Sequence, residues 1–274
     1  MKEIIHFEKC FDIAWQRRDL LWQLSVRNIE SRYKGSMLGI AWSFIQPLIM
    51  LCIYTFVFSI VFKAKFGDIP NDNRLAFAVV LFSGMAVFAV FADSLVGACY
   101  LITGNQNYVK KVVFPLELLP LSHVASVVVN SIPSFLLVMV GMAVCGEPFH
   151  FSWTILLLPL SIIPLWLLTL GMSFFMASLA VYIRDLSYVV GLFTQILFFM
   201  TPIFYPIEVV PEQFRWILQT NPLSLIVENT RALLLYGKIP AGTEILIPFV
   251  TGIVIFQLGF FWFYKSKKGF ADVL

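Results

Sequence analysis

The sequence has few charged residues for its length. Only 13% of its 274 residues are Asp, Glu, Lys or Arg, whereas 59% are hydrophobic and the mean hydropathy is +0.86. Soluble domains carry charge on roughly a quarter of their residues. This chain therefore has too little polar surface to cover a water-soluble globule, and its composition indicates a protein that is solvated largely by a lipid bilayer.

Motifs of the common enzyme classes are also missing. The sequence contains no GxxxxGK(S/T) phosphate-binding loop, no HExxH metal-binding pair and no GxSxG nucleophile. Its four cysteines lie far apart and form no CxxC pair. We therefore expect no catalytic residue, no metal and no cofactor in this chain. If the protein moves a solute uphill, the energy must come from an ion gradient or from another polypeptide.

Acidic residues are scarce inside the apolar segments. Asp93 is the only carboxylate well within a predicted membrane span. Carriers that are driven by ion gradients normally place ionisable groups at mid-membrane depth. The sequence thus disfavours coupling to protons or sodium. We expect Asp93 to cap a helix or to pair with a nearby group, and a relay role is the alternative.

Six apolar segments are long enough to cross a bilayer as helices, which takes about 20 residues for ~30 Å of hydrocarbon. They lie near 37–62, 75–98, 118–145, 152–182, 187–206 and 243–264. The sequence therefore predicts an all-α membrane protein with six transmembrane helices. With the N-terminus inside, thirteen of the 19 Lys and Arg residues fall on the inner side. The positive-inside rule then places both termini in the cytosol.

A stretch before the first span has helical periodicity without the length or hydropathy of a span. In residues 11–30, Phe11, Trp15 and Trp22 recur on one helical face. This pattern predicts an amphipathic helix at the membrane interface, within a cytosolic N-terminal region 1–35. A soluble helix packed on a partner protein is the alternative.

The segment 207–242 is too charged to span the membrane and too long for a simple loop. Its short apolar pieces are bounded by Pro211, Pro222 and Pro240. The pattern predicts short re-entrant helices that dip into the outer leaflet before the last span. They belong to a single transmembrane domain over residues 36–274.

The first span is rich in aromatic residues and begins with a pair of glycines. Gly35 and Gly39 form a GxxxG motif, which allows helices to approach closely. Aromatic residues in a membrane helix commonly face lipid or pack in the core. In a conduit they would instead offer flat surfaces to the C–H faces of sugars. The candidates for lining such a channel are Trp42, Tyr54, Phe58 and Phe62.

Five ordered motifs resemble the polysaccharide-export permeases of the ABC-2 type, a family that includes O-antigen, capsule and teichoic-acid exporters. The motifs are "RNIESRYKGSMLGIAWSFIQPLIMLCIYTFVFSIVF" (27–62), "YVKKVVFPLELLPLS" (108–122), "YIRDL" (182–186), "TPIFYPIEVVP" (201–211) and "NPLSLIVENTRALLLYG" (221–237). The likeness extends over nearly the whole chain, and the segment "IYTFVFSIVF" looks most like the O-antigen branch.

The resemblance implies a bacterial inner-membrane protein that works as a homodimer with two copies of a separate ABC ATPase. The dimer would form a channel that carries a glycan on undecaprenyl pyrophosphate from cytosol to periplasm. The partner ATPase, not this chain, would bind ATP and Mg²⁺, and no nucleic acid is expected. An ABC-2 exporter of teichoic acid, capsule, lipid or drug is one alternative. A membrane-embedded enzyme or scaffold of glycan assembly is another.

The resemblance also assigns roles to polar residues near the cytosolic side. The pyrophosphate headgroup would meet the cations that precede the first span, because Arg can contact phosphate oxygens bidentately. These cations are Arg27, Arg32 and Lys34, although cations flank the first span of any protein whose N-terminus is inside. Coupling to the ATPase would use the two cytosolic connections. Its candidates are Asn105, Tyr108, Lys110, Lys111, Phe114, Arg184 and Asp185.

Overall fold

The computed structural model describes residues 6–61, 73–110 and 114–274. Within these ranges the chain forms helices joined by turns, with no β-strand. The predicted all-α class is thus confirmed. Two of the predicted site residues, Phe62 and Lys111, lie outside the described residues.

The N-terminal region forms two helices, α1 (His6–Gln16) and α2 (Arg18–Tyr33), where the sequence pattern predicted one. The aromatic side chains of the predicted apolar face are uncovered: Phe11 is 60% exposed, Trp15 62% and Trp22 71%. The rings of Phe11 and Trp15 stack with their centroids 6.1 Å apart. An aromatic face that no other described helix covers fits a helix that lies in the membrane interface.

In the described part of the chain, five helical segments are long and apolar enough to cross a membrane. They extend over Gly39–Phe58, Arg74–Ala98, Leu118–Cys145, Trp153–Tyr182 and Gly242–Val273. Their α-helical parts are α3 (Trp42–Tyr54), α4 (Arg74–Ala98), α6 (Leu118–Cys145), α7 (Pro159–Tyr182) and α11 (Gly242–Ser266). The shorter helices are α5 (Gln106–Lys110), α8 (Leu186–Phe199), α9 (Glu212–Thr220), α10 (Pro222–Leu234) and α12 (Phe270–Val273).

Helix α8 occupies the position of the predicted fifth span. Its 14 apolar residues extend about 21 Å at 1.5 Å per residue, which is less than the ~30 Å of the hydrocarbon core. Turns follow it over residues 200–206. The six predicted spans thus correspond to five long helices and one shorter apolar helix, and six membrane crossings stay a prediction.

Helix α4 lies at the centre of the bundle and packs against α6, α7 and α10. In its most apolar stretch of 18 residues, 78% of the residues are buried. The other tight contact is the crossing of α7 and α11, which depends on glycine. A Cβ atom on Gly259 would lie 2.0 Å from the carbonyl oxygen of Gly171, and one on Gly171 would lie 2.5 Å from the carbonyl oxygen of Ile255. Only residues without a side chain allow the two backbones to approach this closely.

The GxxxG motif at the start of the first span lies in a turn and contacts no helix among the described residues. Gly35 and Gly39 have positive φ angles of 86° and 51°. A Cβ atom on either would meet nothing within 4 Å. These glycines instead shape the turn that joins α2 to α3, because residues without a Cβ adopt positive φ at little cost.

The segment between α8 and α11 forms short helices, as predicted. Helix α9 follows Pro211, and Pro222 begins α10. Asn221 separates the two helices, and its side-chain oxygen accepts a hydrogen bond from the Leu223 N–H at 3.0 Å. Helix α10 is largely buried against α4, α7 and α11, whereas Trp216 of α9 is 62% exposed.

Candidate functional site

The predicted headgroup cations lie at one end of the bundle but have different partners. Arg32 forms an ion pair with Asp93, with Nη2 and Oδ2 3.0 Å apart and both side chains nearly half exposed. Arg27 donates a hydrogen bond to the Tyr108 hydroxyl at 2.7 Å. Lys34 follows the last residue of α2 and is exposed. Asp93 therefore pairs with a nearby group, as expected. The hydrogen bond from Arg27 to Tyr108 connects a headgroup candidate to a coupling candidate.

A cavity of about 180 Å³ opens beside the Arg32–Asp93 pair, between α2, α3, α4 and α6. Two hydrogen bonds organise its wall. The Tyr33 hydroxyl lies 3.2 Å from Asn130 Oδ1 and donates to it, and the Trp42 indole N–H donates to the Ser36 hydroxyl at 3.0 Å. The polar side chains that line it are Arg32, Tyr33, Trp42, Ser43, Gln46, Asp93, Asn130, Ser131 and Ser134.

The aromatic candidates of the first span separate into two locations. Trp42 lies at the start of α3, is 42% exposed and lines the cavity. Tyr54 and Phe58 lie further along the span, partly buried against the core. Phe58 stacks on Phe204 with the ring centroids 4.5 Å apart, and Tyr54 lies 5.3 Å from the same ring. Phe198 completes this cluster at 4.9 Å from Phe204.

The first predicted coupling segment is a small folded unit below α4 and α6. The Asn105 side chain donates a hydrogen bond to the Leu101 carbonyl at 2.9 Å, which closes the turn before α5. The Tyr108 ring stacks on Phe114 at 4.4 Å, and Lys110 is exposed at the end of α5. Helix α5 forms this unit over Gln106–Lys110.

The second predicted coupling segment meets the first. Arg184 and Asp185 are both exposed between α7 and α8. Arg184 lines a cavity of about 470 Å³ to which the first connection contributes Thr103 and Gln106. The chain end at Leu274 lines the same cavity. Three segments far apart in sequence therefore form one surface at this end of the bundle.

An ion pair that the sequence did not reveal stabilises the same end. Glu117 is 2% exposed and pairs with Lys267, whose ammonium group also lies 4.2 Å from the ring centre of Tyr264. Cys10 of α1 is buried in the neighbouring apolar cluster. Burial, and then the nearby Glu117 carboxylate, raise the pKa of the Cys10 thiol to about 12. The ion pair and the cluster join α1, α6 and the C-terminal end of α11.

Arg231 is the other residue whose role the sequence did not reveal. In the sequence it is only one of the cations on the predicted outer side. Its side chain is fully buried in α10. Nη1 donates to the Pro202 carbonyl at 2.6 Å and to a Glu228 oxygen at 2.7 Å, and Nη2 donates to the Ile203 carbonyl at 2.9 Å. Nε and Nη2 lie 3.3 and 3.2 Å from the Val80 carbonyl oxygen of α4.

One signal could have identified this residue. Glu228 and Arg231 stand three positions apart in a segment of helical periodicity, a spacing that brings opposite charges together on a helix. Charges in an apolar helix are seldom buried unless they are paired. The position of the pair against α4, in contrast, depends on packing between distant segments.

Most of the helices described above lie within a match to a known protein family. Residues 19–235 match the family described as ABC-2 type transporter. The chain belongs to this family. In this ABC-2 type chain the matched region begins within α2 and ends just after α10.

Named relatives of this ABC-2 type chain are export and transport proteins. It is 32% identical to an O-antigen export system permease protein RfbA of Klebsiella pneumoniae, over 93% of this chain and 95% of that protein. It is 26% identical to the protein of the same name from Myxococcus xanthus, over 94% and 96%. A polysialic acid transport protein KpsM of Escherichia coli is 24% identical over 81% and 83%.

Proposed function

We propose that this chain is the membrane permease subunit of an ABC transporter that exports polysaccharide linked to undecaprenyl pyrophosphate, most specifically O-antigen. The glycan moves from the cytosol to the periplasm across the bacterial inner membrane. The observation that carries this proposal is the 32% identity to an O-antigen export permease, which extends over 93% of the chain. A likeness of this length includes the spans, both connections and the short helices.

The work of transport comes from a separate ATPase. In the proposed assembly two copies of this chain form the channel, and two copies of the ATPase bind ATP and Mg²⁺ beneath it. All six apolar helices cross the membrane, both termini are cytosolic, and α9 and α10 enter the outer leaflet. The surface that joins α5, the 183–185 connection and the chain end supports docking there, because one partner can contact all three at once.

The headgroup site lies where α2 meets the first span. Arg32 and Lys34 present cations there, and Arg27 adds a third beside Tyr108. A diphosphate prefers such partners, since charge-assisted hydrogen bonds to Arg are about twice as strong as neutral ones. Arg27 also contacts the coupling segment, so binding of the headgroup can be sensed at the surface that docks the ATPase.

The channel function is assigned to aromatic residues of the first span. Tyr54 and Phe58 pack on Phe204 and remain partly accessible, and Trp42 is exposed. Flat apolar rings give weak, repeated contacts to sugar C–H faces, which suits a polymer that must slide. Replacing Tyr54 or Phe58 by Ala is expected to slow glycan export without preventing assembly with the ATPase.

Reconstitution tests the proposed function directly. Proteoliposomes that contain the chain and its companion ATPase are expected to hydrolyse ATP several-fold faster when undecaprenyl-pyrophosphate-linked O-antigen is added. An ATPase that lacks its phosphate-loop lysine is the control and gives no increase. Two results would contradict the proposal: export of the glycan by the chain without the ATPase, or stimulation by hydrophobic drugs with no response to the lipid-linked glycan.

Capsule export is the second candidate. The 24% identity to a polysialic acid transport protein favours it, over 81% of the chain. Both functions involve an anionic lipid headgroup and a long glycan, so they share the architecture described above. Comparing ATPase stimulation by lipid-linked O-antigen and by lipid-linked capsular polymer separates them.

A further inference from the structure

The polar cavity beside the Arg32–Asp93 pair reaches far into an apolar bundle. Asn130, on its wall, lies 12 residues after the start of α6 at Leu118, which places it about 18 Å along the helix. Ser131 and Ser134 continue the polar wall in the same direction. Polar side chains that face a cavity at membrane depth are costly, and they commonly mark the path of a polar ligand.

The charge on the cavity wall does not suit an anion. Among the described residues that line it, Arg32 and Asp93 carry the charge, and they are paired at 3.0 Å. Their formal charges cancel. A diphosphate placed inside would face the Asp93 carboxylate, and like charges at short range repel strongly away from bulk water. A neutral ligand with several hydroxyl groups meets no such repulsion.

The remaining wall offers the groups that recognise a sugar ring. Trp42 provides a flat aromatic surface, and its indole is held in place by the Ser36 hydroxyl. Tyr33 fixes the amide of Asn130 by donating to its oxygen, so the Asn130 N–H₂ group can donate elsewhere. Gln46 contributes a second amide. Amides both donate and accept hydrogen bonds, which suits the neighbouring hydroxyls of a pyranose.

We propose that this cavity binds one neutral sugar of the exported glycan, the unit joined directly to the diphosphate. The diphosphate itself stays at the rim with Arg32. The cavity thereby distinguishes a lipid that carries a sugar from one that carries only a diphosphate. This assignment rests on the proposed function, since it deepens the substrate of the same site.

A neighbouring cavity has an apolar wall, in contrast to this polar one. It has a volume of about 280 Å³ and lies between α6 and α7, and apart from Ser131 its lining side chains are apolar. They are Val90, Val128, Ile132, Phe135, Leu136, Met139, Leu158, Ile162, Leu165, Trp166 and Leu234. That wall suits a hydrocarbon chain. In the first cavity, such a ligand would leave the Gln46 amide and the N–H₂ group of Asn130 unpaired, at a cost in free energy.

Two lipids that differ by one sugar test the assignment. The probes are undecaprenyl diphosphate and undecaprenyl diphosphate that carries a single N-acetylglucosamine, added to proteoliposomes of the chain with its ATPase. The wild type is expected to respond to the sugar-bearing lipid at a half-maximal concentration about tenfold lower, as expected for one or two added hydrogen bonds. In Gln46→Leu and in Asn130→Leu this tenfold preference is expected to disappear, while the response to the sugarless lipid remains.

Gln257→Leu is the matched control, because it makes the same change on α11, away from the cavity. It is expected to keep the preference. Ser36→Ala gives a second test at an exposed position that does not threaten folding, since it only releases the Trp42 indole. It should reduce the preference.

Two outcomes would overturn the sugar assignment while leaving the proposed function intact. In the first, the wild type responds equally to both lipids. In the second, the preference survives in Gln46→Leu, Asn130→Leu and Ser36→Ala. A wild type that responds to neither of these lipids nor to lipid-linked glycan overturns the proposed function itself.

Discussion

The ion pair between Arg32 and Asp93 is well placed to be exchanged for a ligand. Both side chains are more than 40% exposed, and exposed ion pairs contribute about 0–1 kcal/mol to stability. A diphosphate can bind Arg bidentately and more strongly than a single carboxylate contact does. In the proposed headgroup site, Asp93 would therefore compete with the lipid diphosphate for Arg32.

Removing that competitor is expected to tighten binding of the headgroup. In Asp93→Asn, the half-maximal concentration of undecaprenyl diphosphate in the ATPase assay should fall by a few-fold, because Arg32 is no longer neutralised. Arg32→Glu should abolish export while the chain still inserts into the membrane. Lys238→Glu, an exposed cation near the short helices, is the control and should export normally. A higher half-maximal concentration in Asp93→Asn would show that the pair is needed intact.

Among the helices, α10 combines apolar packing with one buried cation, Arg231. Its guanidinium connects α10 to the middle of α4 through Val80 and to the turns after α8 through Pro202 and Ile203. These bonds satisfy carbonyl groups that have little access to water. Arg231 thus provides the polar part of the contact between α10 and the central span.

Replacing Arg231 by Leu is expected to destabilise the protein by about 3–5 kcal/mol, because Glu228 and several carbonyls lose their donor. Gly84→Ala should cost less, about 1–3 kcal/mol, since its Cβ would lie 2.6 Å from Arg231 Nη2 and force that side chain to shift. Thermal unfolding of the purified chain in detergent measures both effects.

Gly191→Ala is the matched control for the glycine substitution, because a Cβ atom at that position of α8 meets nothing within 4 Å. Its unfolding temperature should equal or exceed that of the wild type, since alanine favours the helix. If Gly84→Ala were as stable as this control, the arrangement around Arg231 would have to be looser than described.

The helices could be predicted from the sequence to the extent that their signals are local. Length and hydropathy determine the long spans, and proline marks the starts of α9 and α10. The partners of Arg27, Glu117 and Arg231 lie 81, 150 and up to 151 residues away, so no local pattern reports them. The GxxxG spacing of Gly35 and Gly39 likewise does not report whether a second helix packs there, because both glycines lie in a turn.

For the whole molecule, the proposed function predicts a definite orientation in the membrane. The prediction of cytosolic termini and six crossings places the turn after α6 outside and α12 inside. Both positions offer an exposed residue, His150 and Asp272. Chemical labelling of these two positions from each side of the membrane therefore tests the predicted orientation.

Single-cysteine variants make this measurement. After the four native cysteines are replaced, His150→Cys is expected to react with a membrane-impermeant maleimide in spheroplasts. Asp272→Cys should react only after the membrane is permeabilised, because the reagent cannot reach the cytosolic side. Reaction of Asp272→Cys in sealed spheroplasts would rule out the proposed cytosolic C-terminus.

The glycine contact between α7 and α11 has a consequence for motion during the transport cycle. The Gly259 and Gly171 backbones touch so closely that neither helix can slide past the other without separating. We therefore expect the two helices to move as one unit, and the Tyr182 hydroxyl, which donates to the Ser266 carbonyl at 3.1 Å, connects their ends. A fluorophore attached at the chain end is therefore expected to report the displacement of both α7 and α11.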